Sequence, residues 1–364
     1  MQQDDAYQIA VLPGDGIGPE VMREAVRVLE AAASAFGLQL SFARYAIGGS
    51  ALDHFDEPFP KGTRDACMQA DAVLLGAIGG PKWDHEKGDR RCESALLSLR
   101  KSLRTFANLR PVTVPESLAN SSPLRRERVA GVDILIVREL TGGIYFGEPR
   151  FATEQEGGNM MRYTRSEVER IARVAFQMAR RRSGLVTSVD KANVLQVSQF
   201  WREVISEVHT QEFPDLDLRH LYVDNAAMQL VLNPGQFDVI VTANLFGDIL
   251  SDLAATLPGS LGLLPSASIG GSVGLFEPVH GSAPDLAGQG LANPLGAILS
   301  GAMLLDELGH SDAAAAIRNG VTATLDAGIK TGDLGGVATT HEVGALVAER
   351  VSVTKARTPM KMAV

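Results

Sequence analysis

The stretch "YQIAVLPGDGIGPEVMREAVRVLEAAASAFG", residues 7–37, decides the fold class. Its first six residues read as a buried strand. After the turn, Val21, Met22, Ala25, Val28, Leu29 and Ala32 recur at helical spacing, and Gly37 closes the helix. A strand, a glycine turn and a helix are also what a dinucleotide-binding unit begins with. Here the turn reads G-x-G-x-G-P, with Pro19 where the third glycine of that fingerprint would stand. No acid ends a second strand about 20 residues on. The turn therefore reads as a tight strand-to-helix connection and not as a phosphate cradle.

The same rhythm continues. Residues 71–78, 132–139, 184–190, 218–224 and 237–243 read as strands. Residues 164–183 read as a helix with Val168, Ile171, Ala172, Ala175 and Met178 on one face. Strands alternating with helices predict an α/β fold. Residues 143–163 break the pattern as short strands around a Glu/Gly turn, an arm of the kind that pairs between subunits. The last third, from "ANPLGAILSGAMLLDELG" on, is Ala/Leu-rich helix.

Bulk composition narrows the class. The 364 residues, 45% of them hydrophobic, are too many for one ordinary core and predict two domains or one bilobed unit. A formal charge of −9 argues against nucleic acid as a partner. Two cysteines make neither a disulfide framework nor a zinc site, which fits a reducing compartment. The start, "MQQDDAYQIAVLPG", has neither the basic nor the apolar region of a signal peptide, and no run reaches the ~18 apolar residues of a membrane span. A cytoplasmic protein with no membrane partner is expected.

The chemistry concentrates at strand ends. "ANLFGDILSD" places Asp248 and Asp252 four residues apart on one helix face, and Asp224 closes "LYVD". Like charges at that spacing cost a helix a few tenths of a kcal/mol. One reading is a helix cap and a solvated carboxylate. The other is burial beside Ile249 and Leu250, compensated by a divalent cation with all-oxygen ligands, Mg²⁺ or Mn²⁺. Arginine forms bidentate pairs with carboxylates, so Arg100, Arg110 and Arg138, the last directly after "ILIV", suit a dicarboxylate substrate, while Lys101 and Arg104 suit surface ion pairs. Tyr145 and Lys191 follow strand ends and are either structural or proton-transfer groups. Loops 76–83 and 280–294 carry glycines that bring backbone N–H groups toward phosphates, and Asp285 in the second would accept from ribose hydroxyls and repel a 2′-phosphate, favouring NAD over NADP.

With "NLFGDILSDLAATLPGSLGLLPSASIG", "GDGIGPE", "DKANVL", "HGSAPD" and "ANPLGAILS" in view, the chain resembles the isocitrate/isopropylmalate dehydrogenase family of β-decarboxylating dehydrogenases from Tyr7 to the last helix. The resemblance implies a bilobed α/β fold, not a Rossmann fold, with a mixed sheet shared by both lobes. The cofactor lobe would be 1–105 plus 259–364, and the second lobe 106–258 would carry the arm and the subunit interface. It implies NAD-dependent oxidative decarboxylation of 3-isopropylmalate to 4-methyl-2-oxopentanoate in leucine biosynthesis. Tartrate, malate, homoisocitrate or isocitrate are alternative substrates, and a non-catalytic regulatory subunit is a further alternative. By the same resemblance Arg100, Arg110 and Arg138 bind the malate carboxylates, and Asp248 and Asp252 surround Mg²⁺ or Mn²⁺ with Asp224 of the neighbouring subunit. Lys191, also from the neighbour, and Tyr145 transfer protons, and Asp224 joins them as a catalytic and substrate-binding residue. NAD is met by Ile78, Gly79, Gly80, His280, Gly281, Ser282, Ala283, Pro284, Asp285 and Asn293. The substrate is further met by Glu93, Leu96, Leu97, Asn193 and Val194; the two leucines offer an isopropyl group an apolar pocket, and Glu93 repels a third carboxylate. The active site would be shared across a homodimer. Two positions depart from or blur the pattern: Cys92 stands where the family usually has proline, and Ser94 where isocitrate relatives bind substrate with a serine.

Overall fold

A computed structural model describes residues 6–354. Residues 1–5, on which part of the no-leader expectation rests, and 355–364 lie outside the described residues. The chain divides into two compact units, Met1–Arg104 with Ser260–Val364, and Thr105–Gly259.

In chain order the first unit opens with β1 (Tyr7–Gly14), α1 (Gly18–Phe36), β2 (Leu40–Arg44), α2 (Gly49–Phe55), α3 (Lys61–Gln69), β3 (Ala72–Ala77) and α4 (Cys92–Leu103). The second unit runs through β4 (Ala107–Thr113), α5 (Arg126–Val129), β5 (Asp133–Glu139), β6 (Arg150–Ala152), β7 (Gly157–Asn159), α6 (Arg165–Arg180), β8 (Leu185–Asp190), α7 (Gln196–Glu212), β9 (Asp217–Tyr222), α8 (Val223–Leu232), β10 (Val239–Thr242) and α9 (Asn244–Ala255). The chain then returns to the first unit with β11 (Pro265–Ile269), β12 (Gly274–Pro278), α10 (Leu295–Glu307), α11 (Ser311–Asp326) and α12 (Thr340–Thr354).

Within the first unit the strand order is β2-β1-β3-β12-β11, parallel except for the antiparallel β11–β12 pair. α1 buries the apolar residues that its spacing marks, Val21, Met22, Ala25, Val28, Leu29 and Ala32 among them, and packs on α10 and α12. Each large one contributes roughly 1.5–3 kcal/mol. The second unit has the order β4-β5-β10-β8-β9, with β4 antiparallel and the rest parallel. Pairing of β5 with β10 sets Arg138 opposite Thr242, so the end of β5 lies beside the start of α9. That register positions the chemistry described below.

Of three local readings, one changes and two hold. The strand expected over 218–224 stops at Tyr222, so Asp224 is the second residue of α8, where an anion suits the helix dipole. Within the arm the regular part is the small antiparallel pair β6–β7, which is mostly exposed. The turn after β1 is as tight as the sequence suggests: Gly14 has φ +71°, and a Cβ there would sit 1.8 Å from the Ala77 carbonyl oxygen.

Candidate active site

In the second unit, Arg138 is a buried cation at the end of β5. Its Nη1 donates to Asp248 Oδ1, and the Asp248 Oδ2 accepts the Tyr145 hydroxyl at 2.8 Å. Tyr145 caps the assembly with its ring 6.0 Å from the guanidinium. Burial, and then the hydrogen bond to Asp248, raises the Tyr145 pKa, so the phenol holds its proton above the ordinary range. A parallel arrangement forms one turn later. Arg110 Nη1, from β4, donates to Ser251 Oγ at 2.7 Å and to Asp252 Oδ1 at 3.2 Å, while its Nε donates to Asn108 Oδ1 at 2.9 Å.

The two aspartates share a helix face, as their spacing requires. The burial expected of them is a different matter. In the single chain the Asp248 side chain is 36% exposed and that of Asp252 69%, and Ile249 between them faces outward. The compensating charges here are the two guanidiniums. Each arginine–aspartate pair offsets the like-charge repulsion along α9.

Lys191 and Asp224 form a second group. Lys191 follows β8, and its Nζ donates to Asp224 Oδ1 at 2.8 Å, which holds the Asp224 carboxyl below its ordinary range. Asn193 and Val194 lie in the exposed turn directly after the lysine. Among the described residues of one chain, no three His, Cys, Asp or Glu side chains converge on a metal position. The donors on α9 nonetheless suit a hard cation, being carboxylate oxygens with no thiolate or imidazole beside them.

The first unit gathers the glycine loops. Asp15, of "GDGIG", is buried, and its carboxylate accepts the N–H groups of Gly49 and Ser50 at 2.7 Å and of Gly79 at 2.8 Å. Burial raises its pKa against those three bonds. Ile17 N–H donates to the Ser282 carbonyl at 2.8 Å, and a Cβ on Gly16 would meet that oxygen at 2.0 Å. The "GDGIG" turn thus braces loops 78–80 and 280–283. Next in that second loop, Ala283 adopts φ +38° and Pro284 and Asp285 are exposed. His280 Nδ1 bonds the Gly281 carbonyl, burial depresses its pKa, and its Nε2 is buried without a hydrogen-bond partner. A buried orphan nitrogen beside an open Gly281, whose missing Cβ would touch nothing within 4 Å, fits a bound cofactor. Asn293 is differently employed: its amide joins Asp333 at 3.0 Å and the Leu295 N–H at 3.0 Å, supporting the start of α10.

Residues 8–347 match the family model described as isocitrate/isopropylmalate dehydrogenase. The chain belongs to that family. A 3-isopropylmalate dehydrogenase of Salinibacter ruber is 65% identical over 92% of this chain and 91% of its own length. That of Wolinella succinogenes is 53% identical over 94% and 97%. Among solved structures, isocitrate dehydrogenase from Methylococcus capsulatus superposes with a TM-score of 0.84 at 37% identity, covering 95% of this chain and 99% of that one. An apo β-decarboxylating dehydrogenase from Thermococcus kodakarensis gives 0.83 at 39%, covering 98% and 100%.

Membership of the isocitrate/isopropylmalate dehydrogenase family focuses attention on α4. Glu93, Leu97 and Arg100 follow one another at i, i+4 and i+7 along one stripe; Glu93 and Leu97 are exposed, while Leu96 turns partly into the core. Arg100 Nη2 donates to Glu277 at 2.7 Å. Cys92 is the first residue of the helix, where the backbone N–H has no helical acceptor, so a proline and a cysteine are both accommodated. Burial pushes its thiol up to about 11. The Ser94 hydroxyl donates to the carbonyls of Asp89 and Arg91, both at 2.6 Å, and is engaged in its own turn. Sequence reading missed Asp15, Asn108, Ser251 and Asn244, which hold the loops and arginines. Ser251, at i+3 from Asp248, and Asn108, two residues before Arg110 on the same strand, were legible from spacing; Asp15 and Asn244 meet partners far away in the chain.

Proposed function

We propose that this protein oxidatively decarboxylates 3-isopropylmalate to 4-methyl-2-oxopentanoate with NAD⁺ and Mg²⁺ or Mn²⁺, a step of leucine biosynthesis, in the cytoplasm. The observation that carries the reading is the pairing of Arg138 with Asp248 and of Arg110 with Asp252. Two cations and two anions neutralise each other within the chain. A dicarboxylate dianion and a dication can take both partners' places with no net change of charge: the arginine donors now on the aspartates would pass to the substrate carboxylates and the aspartates to the metal.

Held there, the dication would supply Lewis acidity and the nicotinamide a hydride acceptor. The chain's own residues do the rest. Arg100, Arg110 and Arg138 grip the carboxylates, and Lys191 takes the C2 hydroxyl proton. After CO₂ leaves, Tyr145, kept protonated by its surroundings, delivers a proton to C3. Asp224 holds Lys191 in place. Leu96 and Leu97 receive the isopropyl group, Glu93 disfavours a third carboxylate, and Asp285 takes the adenosine ribose. Asp224, Asp248 and Asp252 would hold the dication, with Lys191 and Asp224 donated by a second copy of the chain. Exposed apolar residues beside these groups, Tyr222 at the end of β9, Met228, Val231 and Leu232 on α8, and Ile249 on α9, support that homodimer.

The deciding measurement is NAD⁺ reduction with 3-isopropylmalate, isocitrate, homoisocitrate, tartrate and malate, each with Mg²⁺ and with chelator. A clear preference for 3-isopropylmalate that vanishes with chelator is expected. Equal or faster turnover of another acid would reassign the substrate, and silence with all five in a folded dimer would point to a regulatory subunit.

A further inference from the structure

Asn244 opens α9 and is buried. Its amide can face only one way, because arginine donates and carbonyls accept. Oδ1 accepts from Arg138 Nε at 3.1 Å and Nη2 at 2.8 Å. Nδ2 donates to the carbonyls of Leu140 at 3.0 Å and Gly142 at 3.2 Å. All four hydrogen-bonding positions of the amide are filled. Its backbone N–H donates to the buried Tyr163 hydroxyl at 2.9 Å. Gly142 and Gly143 press on that same tyrosine so closely that a Cβ at either would lie 2.7 or 2.4 Å from it. The segment so held, 140–143, leads into the turn Gly143–Tyr145.

One side chain therefore fixes both the guanidinium of Arg138 and the base of the Tyr145 loop. Its chemistry matters as much as its place. A neutral amide oxygen occupies two donors of Arg138 without cancelling the positive charge. An aspartate there would form an internal ion pair with Arg138 and set carboxylate oxygen against the carbonyls of Leu140 and Gly142. We propose that Asn244 is a positioning residue that holds Arg138 and the Tyr145 loop in a single register while leaving the arginine's charge to a substrate carboxylate. The proposal rests on the reading above in which Arg138 grips the substrate.

The test compares the intact enzyme with Asn244→Asp, Asn244→Ser and Tyr163→Phe. Steady-state kinetics with 3-isopropylmalate and NAD⁺ are joined by calorimetric binding of 3-isopropylmalate without NAD⁺. Asn244→Asp should raise the KM and Kd for 3-isopropylmalate about 30-fold, the scale of one charge-assisted contact, and leave the KM for NAD⁺ within about threefold. Asn244→Ser should raise them about tenfold and Tyr163→Phe about threefold. In an Arg138→Lys background Asn244→Ser should add little, since Asn244 acts through Arg138. Should Asn244→Asp not fold, the serine variant and its combination with Arg138→Lys carry the decision. Unchanged affinity in a folded Asn244→Ser or Asn244→Asp enzyme, or full additivity with Arg138→Lys, overturns the inference. Inactive wild-type enzyme overturns the proposed function instead, so the two failures are distinct.

Discussion

At the scale of single residues, Asp252 is the most instructive. It is mostly exposed and paired only at 3.2 Å, so its removal should cost the fold within about 0.5 kcal/mol. Asp252→Asn should nevertheless lower divalent-metal affinity and slow turnover at limiting Mg²⁺, with an unchanged melting temperature. Normal turnover under those conditions would remove it from the metal site. Tyr145 makes the complementary case. Tyr145→Phe keeps the ring over Arg138 and deletes only the hydroxyl that donates to Asp248, so kcat should fall by about 10²–10⁴ with little change in substrate Kd. An unaffected kcat would mean that another group protonates C3. The residue types and spacing behind both predictions are legible in the sequence. Their counter-charges are not, because Asp248 and Arg138 are 110 residues apart and Asp252 and Arg110 are 142 apart.

At the scale of elements, α9 shows tertiary context reversing a local preference. Gly247 is a helix-interior glycine, where alanine normally stabilises by roughly 0.5–1 kcal/mol. Here a Cβ would stand 2.6 Å from Arg138 Cγ and 2.8 Å from its Cβ. Gly247→Ala should therefore lower the melting temperature and raise the KM for 3-isopropylmalate about tenfold, the direction opposite to helix propensity; a more stable enzyme of normal KM would show that the arginine stem yields freely. Helices with clear periodicity, α1 and α6, are legible, and α6 also carries a capping box between Thr164 and Glu167. Strands such as β11, "PSASI", and β12, "GLFEP", are not, since they are short and bury Ser266, Ser268 and Glu277 among apolar residues. Burial on both faces erases the alternation by which a strand is read.

For the molecule as a whole, acid sensitivity should have a component from His280. Burial lowers its folded pKa below the ordinary 6.5. The unfolded chain then binds the proton more readily, so this contribution is complete above the unfolded value and is lost as pH falls from about 6.5 through the folded value. The melting temperature should drop between about pH 7.5 and 5, and the drop should be smaller in His280→Asn; parallel curves would deny the histidine that role. Assembly is tested by Met228→Glu with Leu232→Glu, two exposed apolar positions on α8. Sedimentation should show monomers without turnover, whereas an active dimer would place the interface elsewhere.

The sequence by itself determined the α/β alternation, the tight non-Rossmann turn after β1, the common helix face of Asp248 and Asp252, and the arginine-rich, oxygen-donor chemistry. These follow from periodicity and from side-chain type, which act over a few residues. Only the tertiary structure decided that the aspartates are paired with Arg138 and Arg110, that Asp15 braces the loop at Gly79, and that Asn244 links Arg138 to the Tyr145 loop. The reason is sheet order: β5 and β10, far apart in the chain, lie side by side with Arg138 opposite Thr242. No local pattern records which distant strand end will supply the partner charge.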